Sequence, residues 1–310
     1  MIFKSILFLI AVFSCNSWAQ LNVVVSVPDF KEIFESIGKE KVKVISLLNG
    51  REDPHFIDAV PSFISKVAKA DIVCAVGLHL EIGWLPKVLA KSANSKVQMG
   101  GRGYCELGES VTILEKPTQN FDRSMGDVHG GGNPHFYLSP SALNEAASKV
   151  ASILSLHLPA GKEYFMSNLK DFQLRMKLLK KSIAAKLAPL QNIKLIQFHK
   201  EFSYFISEYG FNSFGAIEEK PGVPPSSARI LNVSFNAKKS SVRLAIGSFH
   251  TPVNYLKKFT EISGIPYVKL PASLQLRDPK LNTIAKVQNY IASKIIQSVH
   301  SATHNSAKLK

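Results

Sequence analysis

Short β-branched runs alternate with amphipathic stretches almost from the start of the chain. "LNVVVSV" and "VKVISLL" are apolar runs bounded by polar segments, and between them "DFKEIFESIG" follows a helical pattern with Gly38 as its stop. The short helix "SFISKVAKA", the strand "DIVCAVG" and the helical "EIGWLPKVLA" come next. Strands that alternate with helices predict a parallel sheet covered on both faces, so the first part of the chain reads as an α/β lobe. A further helix is expected from Pro140 to about Leu158, with Ser139 as its N-cap and Pro140 in its first turn. After "LPAG", Phe165, Leu169, Phe172, Met176, Leu179, Ile183 and Leu187 recur every three or four residues with lysines between them. They form one apolar stripe on a helix of about 27 residues, roughly 40 Å long at the α-helical rise.

A helix of that length exceeds what one lobe needs, which predicts a rigid strut joining two lobes; a hairpin packed on one core is the alternative. Beyond it the alternation restarts with the strand "IKLIQF", the helix "EFSYFISEYG" and the strand "SFGAIEE". The loop "KPGVPPSSARI", the strand "RLAIGSF", the helix "TPVNYLKKFTEISG", the strand "YVKLP" and a terminal helix from about Leu281 to His300 complete it. The expected fold class is α/β, with two lobes, each a mostly parallel sheet flanked by helices, joined by one long helix. The expected boundaries are a leader over 1–19, an N-terminal lobe over 20–159, the linking helix over 160–188 and a C-terminal lobe over 189–310.

The leader assignment rests on "MIFKSILFLIAVFSCNSWA", which has an early lysine, an apolar run from Ile6 to Phe13 and small residues at Ser17 and Ala19. Cleavage after Ala19 predicts an exported, periplasmic or extracytoplasmic protein. Lipidation at Cys15 is the alternative, and Phe13 fits that cleavage site poorly. Loss of Lys4 alone lowers the net charge from +15 to +14, a surface drawn to anionic partners and compatible with peripheral membrane contact. The lysines are dispersed and no aromatic-plus-basic recognition motif accompanies them, which argues against nucleic acid. Of the remaining cysteines, Cys74 lies in an apolar strand and nothing in its spacing from Cys105 demands pairing, so no disulfide is expected.

Three histidines stand where loops leave strands or enter helices: His55 in "REDPHFID", His135 in "GNPHFYL" and His199 in "LIQFHKEF". In open α/β sheets such loop ends converge on ligands. Neutral imidazole is the commonest ligand for zinc and related cations, and three of them leave one tetrahedral position for water or a carboxylate. Between Gly126 and Pro140, "GDVHGGGNPHFYLSP" also sets His129 and Asp127 beside three consecutive glycines. The other histidines, His79, His157, His300 and His304, do not join the constellation.

"SVPDFKEIFESIG", "DPHFIDAVPSFISKVAKADIVCAVGLHLEIGWLPKVL", "GDVHGGGNPHFYLSP", "QFHKEFSYFISEYGF" and "EEKPGVPPSSARI" together resemble the metal-binding solute-binding proteins of bacterial zinc and manganese ABC importers, the cluster A-I family. The resemblance covers nearly the whole chain after the leader. It implies two α/β lobes joined by one long helix, metal held in the cleft by His55, His135 and His199, an ABC membrane permease as partner and no enzymatic activity. A monomer is expected. A histidine at 199, where manganese-selective relatives use a carboxylate, tilts the cargo toward Zn²⁺ over Mn²⁺.

The departures from that pattern concern the fourth ligand. The loop "KLPASLQL" carries no acid where many relatives supply an aspartate, and "AIGSFHTP" stands where a strand often ends in Glu-Pro. Water, His250, Glu81, Glu218 and Glu219 are the candidates, with water first. The long histidine- and acid-rich loop of many zinc-binding members is reduced to "DVHGGG", expected to form a mobile lip on which His129 and Asp127 help a cation enter. Two rival functions are a secreted zinc hydrolase and a metal-stabilised adhesin. The chain contains neither H-E-x-x-H nor G-x-S-x-G, which weakens the first.

Overall fold

The computed structural model describes residues 20–117, 129–220 and 222–307, so the leader and Asp127 lie outside the described residues. The first lobe contains β1 (Leu21–Val25), α1 (Pro28–Gly38), β2 (Val42–Ser46), α2 (Pro61–Val67), β3 (Ile72–Ala75), α3 (Leu85–Lys91) and β4 (Tyr104–Glu106). Two long helices follow, α4 (Pro140–His157) and α5 (Lys162–Leu187). The second lobe contains β5 (Lys194–Gln197), α6 (Ser203–Glu208), β6 (Asn212–Ala216), α7 (Ser227–Lys239), β7 (Val242–Ser248), α8 (Val253–Ser263), β8 (Tyr267–Leu270) and α9 (Ile284–Ala307).

Both sheets are parallel and share one plan. The strand orders are β2-β1-β3-β4 and β6-β5-β7-β8, so the first strand of each lobe lies between the second and the third. Each order reverses beside that first strand, and the crevice at the carboxyl ends of the strands there is where such sheets bind ligands. Val23, Val24 and Val25 of β1 and all of β3 are buried, as parallel strands covered on both faces require. In the second sheet the strand period of two sorts side chains between two cores. Leu195, Leu244 and Ile246 face the main apolar cluster, while Ile196 and Ala245 face a smaller one beneath Val233 of α7 and Leu256 and Phe259 of α8.

The main cluster is continuous from β1 through α1, α4 and α5 to Ile284, Val287, Ile291 and Ile295 of α9. All seven residues of the predicted α5 stripe face it: Phe165, Leu169, Phe172, Met176, Ile183 and Leu187 are buried, and Leu179 is partly so. The helix has 26 residues, about 39 Å. It packs on α1, α4 and α9, so the strut is a wall of a core that both lobes share.

Polar groups close the same seam. Gln288 of α9 donates to the Leu138 carbonyl (2.8 Å) and accepts from the Tyr209 hydroxyl (2.9 Å). Asn168 of α5 donates to the Ile37 carbonyl at the end of α1 (2.9 Å). From α1, Glu32 accepts the Ile284 amide that opens α9 (2.6 Å), and Asp29 accepts the Leu274 amide (3.2 Å) and the Ser273 hydroxyl. Burial raises both carboxyls, Asp29 to about 7.

Three features depart from the sequence expectations. Strand β4 is only three residues long, too short for a periodic signal. Helix α7 begins at Ser227, inside the expected loop "KPGVPPSSARI", and runs on to Lys239: Ser226 caps it through the Arg229 amide, and Ile230, Val233, Ser234 and Ala237 face inward. Its Leu231 and Phe235 are exposed, so apolar residues on both faces blur the helical period. Cys74 and Cys105, expected unpaired, are joined in a disulfide, because the register of β3 on β4 sets them directly opposite with Cα atoms 4.6 Å apart. Among the described residues no helix is long and apolar enough to cross a membrane.

Because the two lobes share one core, Phe172→Ala in α5 is expected to lower unfolding free energy by about 3–5 kcal/mol. Fluorescence of buried Trp84 in the first lobe and far-ultraviolet circular dichroism of the whole chain should still report coincident urea transitions; separated midpoints would show that the lobes unfold independently.

Candidate metal centre

His55 sits in the loop between β2 and α2, which is pinned where the Trp84 indole donates to the Pro54 carbonyl (2.9 Å). Asp53 holds the residue twice, accepting from its amide (3.0 Å) and contacting ring Nδ1 (2.6 Å). His135 opens the single turn Phe136–Leu138 ahead of α4, whose N-cap is Ser139 as expected. Its amide donates to the Asn133 side chain (2.9 Å), and its Nδ1 lies 3.0 Å from the Tyr137 hydroxyl. His199 leaves the carboxyl end of β5 with Nδ1 2.9 Å from Glu218 Oε2. Glu218 is placed by its own amide, which donates to the Phe198 carbonyl (3.1 Å).

The three therefore share one arrangement. An oxygen stands on each Nδ1, and a proton held there leaves each Nε2 to accept or ligate. The loops are also tied across the lobes: Asn133 donates to the Lys200 carbonyl (2.8 Å) and the Tyr204 hydroxyl donates to the Asn133 carbonyl (3.1 Å). His135 Nε2 is buried with no hydrogen-bond partner, a costly condition for an imidazole nitrogen unless something else occupies its lone pair.

The structure brings a fourth imidazole to the same place. His129 Nε2 is 3.1 Å from His55 Nε2, and one ring nitrogen from each of His55, His129, His135 and His199 lies within 4.8 Å of all the others. Among the described residues no other group of three or more His, Cys, Asp or Glu comes together in this way. The glycine run is responsible. The Gly132 amide closes a turn on the His129 carbonyl (2.9 Å) with Gly132 at φ +103°, where a Cβ would lie 2.3 Å from Ile113 Cγ2. A Cβ on Gly131 would lie 2.8 Å from Leu78 Cδ2. In the described part of the expected lip, Gly131 and Gly132 form a tightly packed turn that carries His129 inward. The available signal was two histidines separated by a run that only a sharp turn explains.

Charge follows from these surroundings. Burial, and then the neighbouring imidazoles, depress His129 to about 3 and His135 well below the ordinary range. Burial also acts to lower His199, but the Glu218 hydrogen bond and the charges of Glu201 and Glu218 outweigh it and raise the ring. Burial acts to raise Asp53, yet its hydrogen bond to His55 and the His55 charge hold it at about 2. Two neutral imidazoles face two that are backed by acids, a donor set suited to one divalent cation.

The side-chain candidates for the fourth ligand lie outside the four-histidine group. Glu81 accepts the Val76 (2.7 Å) and Gly77 (3.1 Å) amides, and burial raises it to about 7. Glu218 stands behind His199, and Glu219 is exposed. His250 lines an adjoining cavity of about 230 Å³ with Asp53, Glu201 and Glu218, outside the four-histidine group. His157 contacts the Arg102 carbonyl (3.0 Å), away from the centre.

Known proteins share this plan. The chain is 25% identical over 295 residues to the high-affinity zinc uptake system protein ZnuA of Yersinia pestis, covering 89% of this chain and 91% of that one. It is 25% identical over 221 residues to the manganese ABC transporter substrate-binding lipoprotein PsaA of Streptococcus anginosus, covering 68% of each. The fold matches a crystal structure of ZnuA with a TM-score of 0.74 at 22% identity, covering 90% of this chain and 99% of that one. It also matches the periplasmic zinc binding protein TroA from Treponema pallidum with a TM-score of 0.74 at 15% identity, covering 91% and 99%. The family model described as "ZnuA: Zinc-uptake complex component A periplasmic" matches residues 23–279, and the chain therefore belongs to that family of metal-binding components of ABC importers, which are not enzymes.

Proposed function

We propose that the chain captures Zn²⁺ outside the cytoplasm in the cleft between its lobes and delivers it to the membrane permease of an ABC importer. His55, His135 and His199 are the ligands in this reading. The observation that carries it is the shared support of the three rings, each with an oxygen on Nδ1, together with the gathering of one ring nitrogen from each within 4.8 Å of the others. The relatives include both zinc and manganese proteins, so the choice of cargo rests on the donors. Imidazole nitrogens suit zinc, whereas manganese takes carboxylate, carbonyl and water oxygens, and the nearby acids are engaged behind the rings. Neither a hydrolase nor an adhesin is favoured by any feature of the site.

Delivery follows from the shared core. Lobes joined by α5, α9 and the main apolar cluster resist rotation, so loading orders the histidine loops and leaves the lobes in their mutual orientation. The radius of gyration from solution scattering should change little between metal-free and zinc-loaded protein; a large decrease would show hinge closure. His135→Ala should lower zinc affinity by more than about 100-fold, the upper end of what loss of a ligand's supporting partner costs, and purified protein should lose its metal by elemental analysis.

Proton competition should enter through His199. Only the neutral ring binds metal, and acids raise His199 while His129 and His135 stay neutral well below pH 6. Zinc affinity should therefore fall on acidification as His199 takes up a proton. Glu218→Gln removes a cause of that raised value, so the acid limb of the affinity profile should move to lower pH. At high pH the same variant should bind about 10–100-fold more weakly, because His199 loses its oriented partner. Competition titrations across pH 5–8 read both effects, and an acid limb left in place would exclude Glu218 from this role.

A further inference from the structure

We infer that His129 is the fourth ligand of the captured cation, closing an all-imidazole shell where a carboxylate or water would otherwise bind. This rests on the reading of His55, His135 and His199 as ligands and extends it to a residue that decides which metal is retained. The geometry is close to what a shared ion requires. Ligand nitrogens about 2.0–2.1 Å from zinc stand about 3.4 Å apart in a tetrahedron, and His129 and His55 present their Nε2 atoms at 3.1 Å. At this distance the two nitrogens share an N–H···N hydrogen bond, whose place a divalent cation ligated by both would take. His129 Nδ1 is buried without a hydrogen-bond partner. Unlike the other three rings, this one has no oxygen fixing its tautomer and is placed by the turn that carries it.

That turn is anchored independently of any metal. The Asn133 amide donates to the Leu114 carbonyl (2.9 Å), Gly132 closes on His129, and both packed glycines exclude a side chain. Several oxygen donors that could compete are engaged elsewhere, and Glu201, whose Oε2 is buried without a hydrogen-bond partner beside the cleft, lies outside the four-histidine group. The loop after β8 has Ser273 and Leu274 bound to Asp29, Glu81 is folded onto the amides that follow β3, and Glu218 stands behind His199. With four nitrogens and no inner oxygen, the shell favours zinc and disfavours manganese.

The test is zinc X-ray absorption on the full mature chain loaded with one equivalent of Zn²⁺, combined with competition titration of Zn²⁺ and Mn²⁺. The wild type should show four imidazole scatterers, and His129→Ala three with one oxygen. His129→Ala should also lose about 10–100-fold in zinc affinity, the scale measured for supporting groups of metal ligands. His129→Asp, which restores a carboxylate, should show three imidazoles and one oxygen and narrow the zinc-to-manganese preference at least about tenfold. Three imidazoles plus oxygen in the wild type, or unchanged coordination and affinity in His129→Ala, would overturn the inference. His135→Ala distinguishes the two levels: if it abolishes binding while His129→Ala does nothing, only the fourth-ligand inference fails, and if neither affects binding, the capture site itself is misplaced.

Discussion

Imidazoles gathered from two lobes keep their mutual positions only as well as the lobes are held to each other. In this molecule that constraint is met by an apolar core that does not stop at the lobe boundary, running from the valines of β1 through α5 to the isoleucines of α9. Gln288, Asn168, Asp29 and Glu32 close the seam with hydrogen bonds that cross between segments distant in sequence. Such groups are costly to bury unpaired, so each also penalises any arrangement that separates its partners. The positions of His55, His135 and His199 depend on this seam, as does the bond from Asn133 to the loop of His199.

Bringing four basic rings together would be unfavourable if they were charged. The structure avoids this in two ways. His129 and His135 are kept neutral by burial and then by the neighbouring His55 and His199, while His55 and His199 are backed by Asp53 and Glu218. The acids thus act one layer out, orienting rings and offsetting charge, and the nitrogens face the centre. This division of labour leaves a nitrogen-rich centre in a site surrounded by so many carboxylates.

The fate of the remaining acids is equally telling. Asp29 and Glu81 are buried and raised to about 7, yet each is spent on backbone amides, one tying the lobes together and one shaping the turn after β3. The serine in the loop after β8 is drawn to Asp29 and away from the cleft. In this chain the lobe seam takes up that loop, and the turn around Gly132 supplies a nitrogen to the cleft.

Much of this was legible in the chain itself. The alternation of strand and helix, the α5 stripe from Phe165 to Leu187, the Ser139 cap and three of the four clustered histidines follow from local periodicity, propensity and placement at strand ends, which neighbouring residues encode. Helix α7 escaped because Leu231 and Phe235 spread its apolar residues over two faces, and β4 because three residues carry no period. The pairing of Cys74 with Cys105, the return of His129 to the cluster and the withdrawal of Glu81 from it were decided only by the tertiary structure. Each depends on strand register, on a turn made tight by packing against Ile113 and Leu78, or on competition for buried amides, and these are set by contacts between segments that no local stretch of sequence specifies.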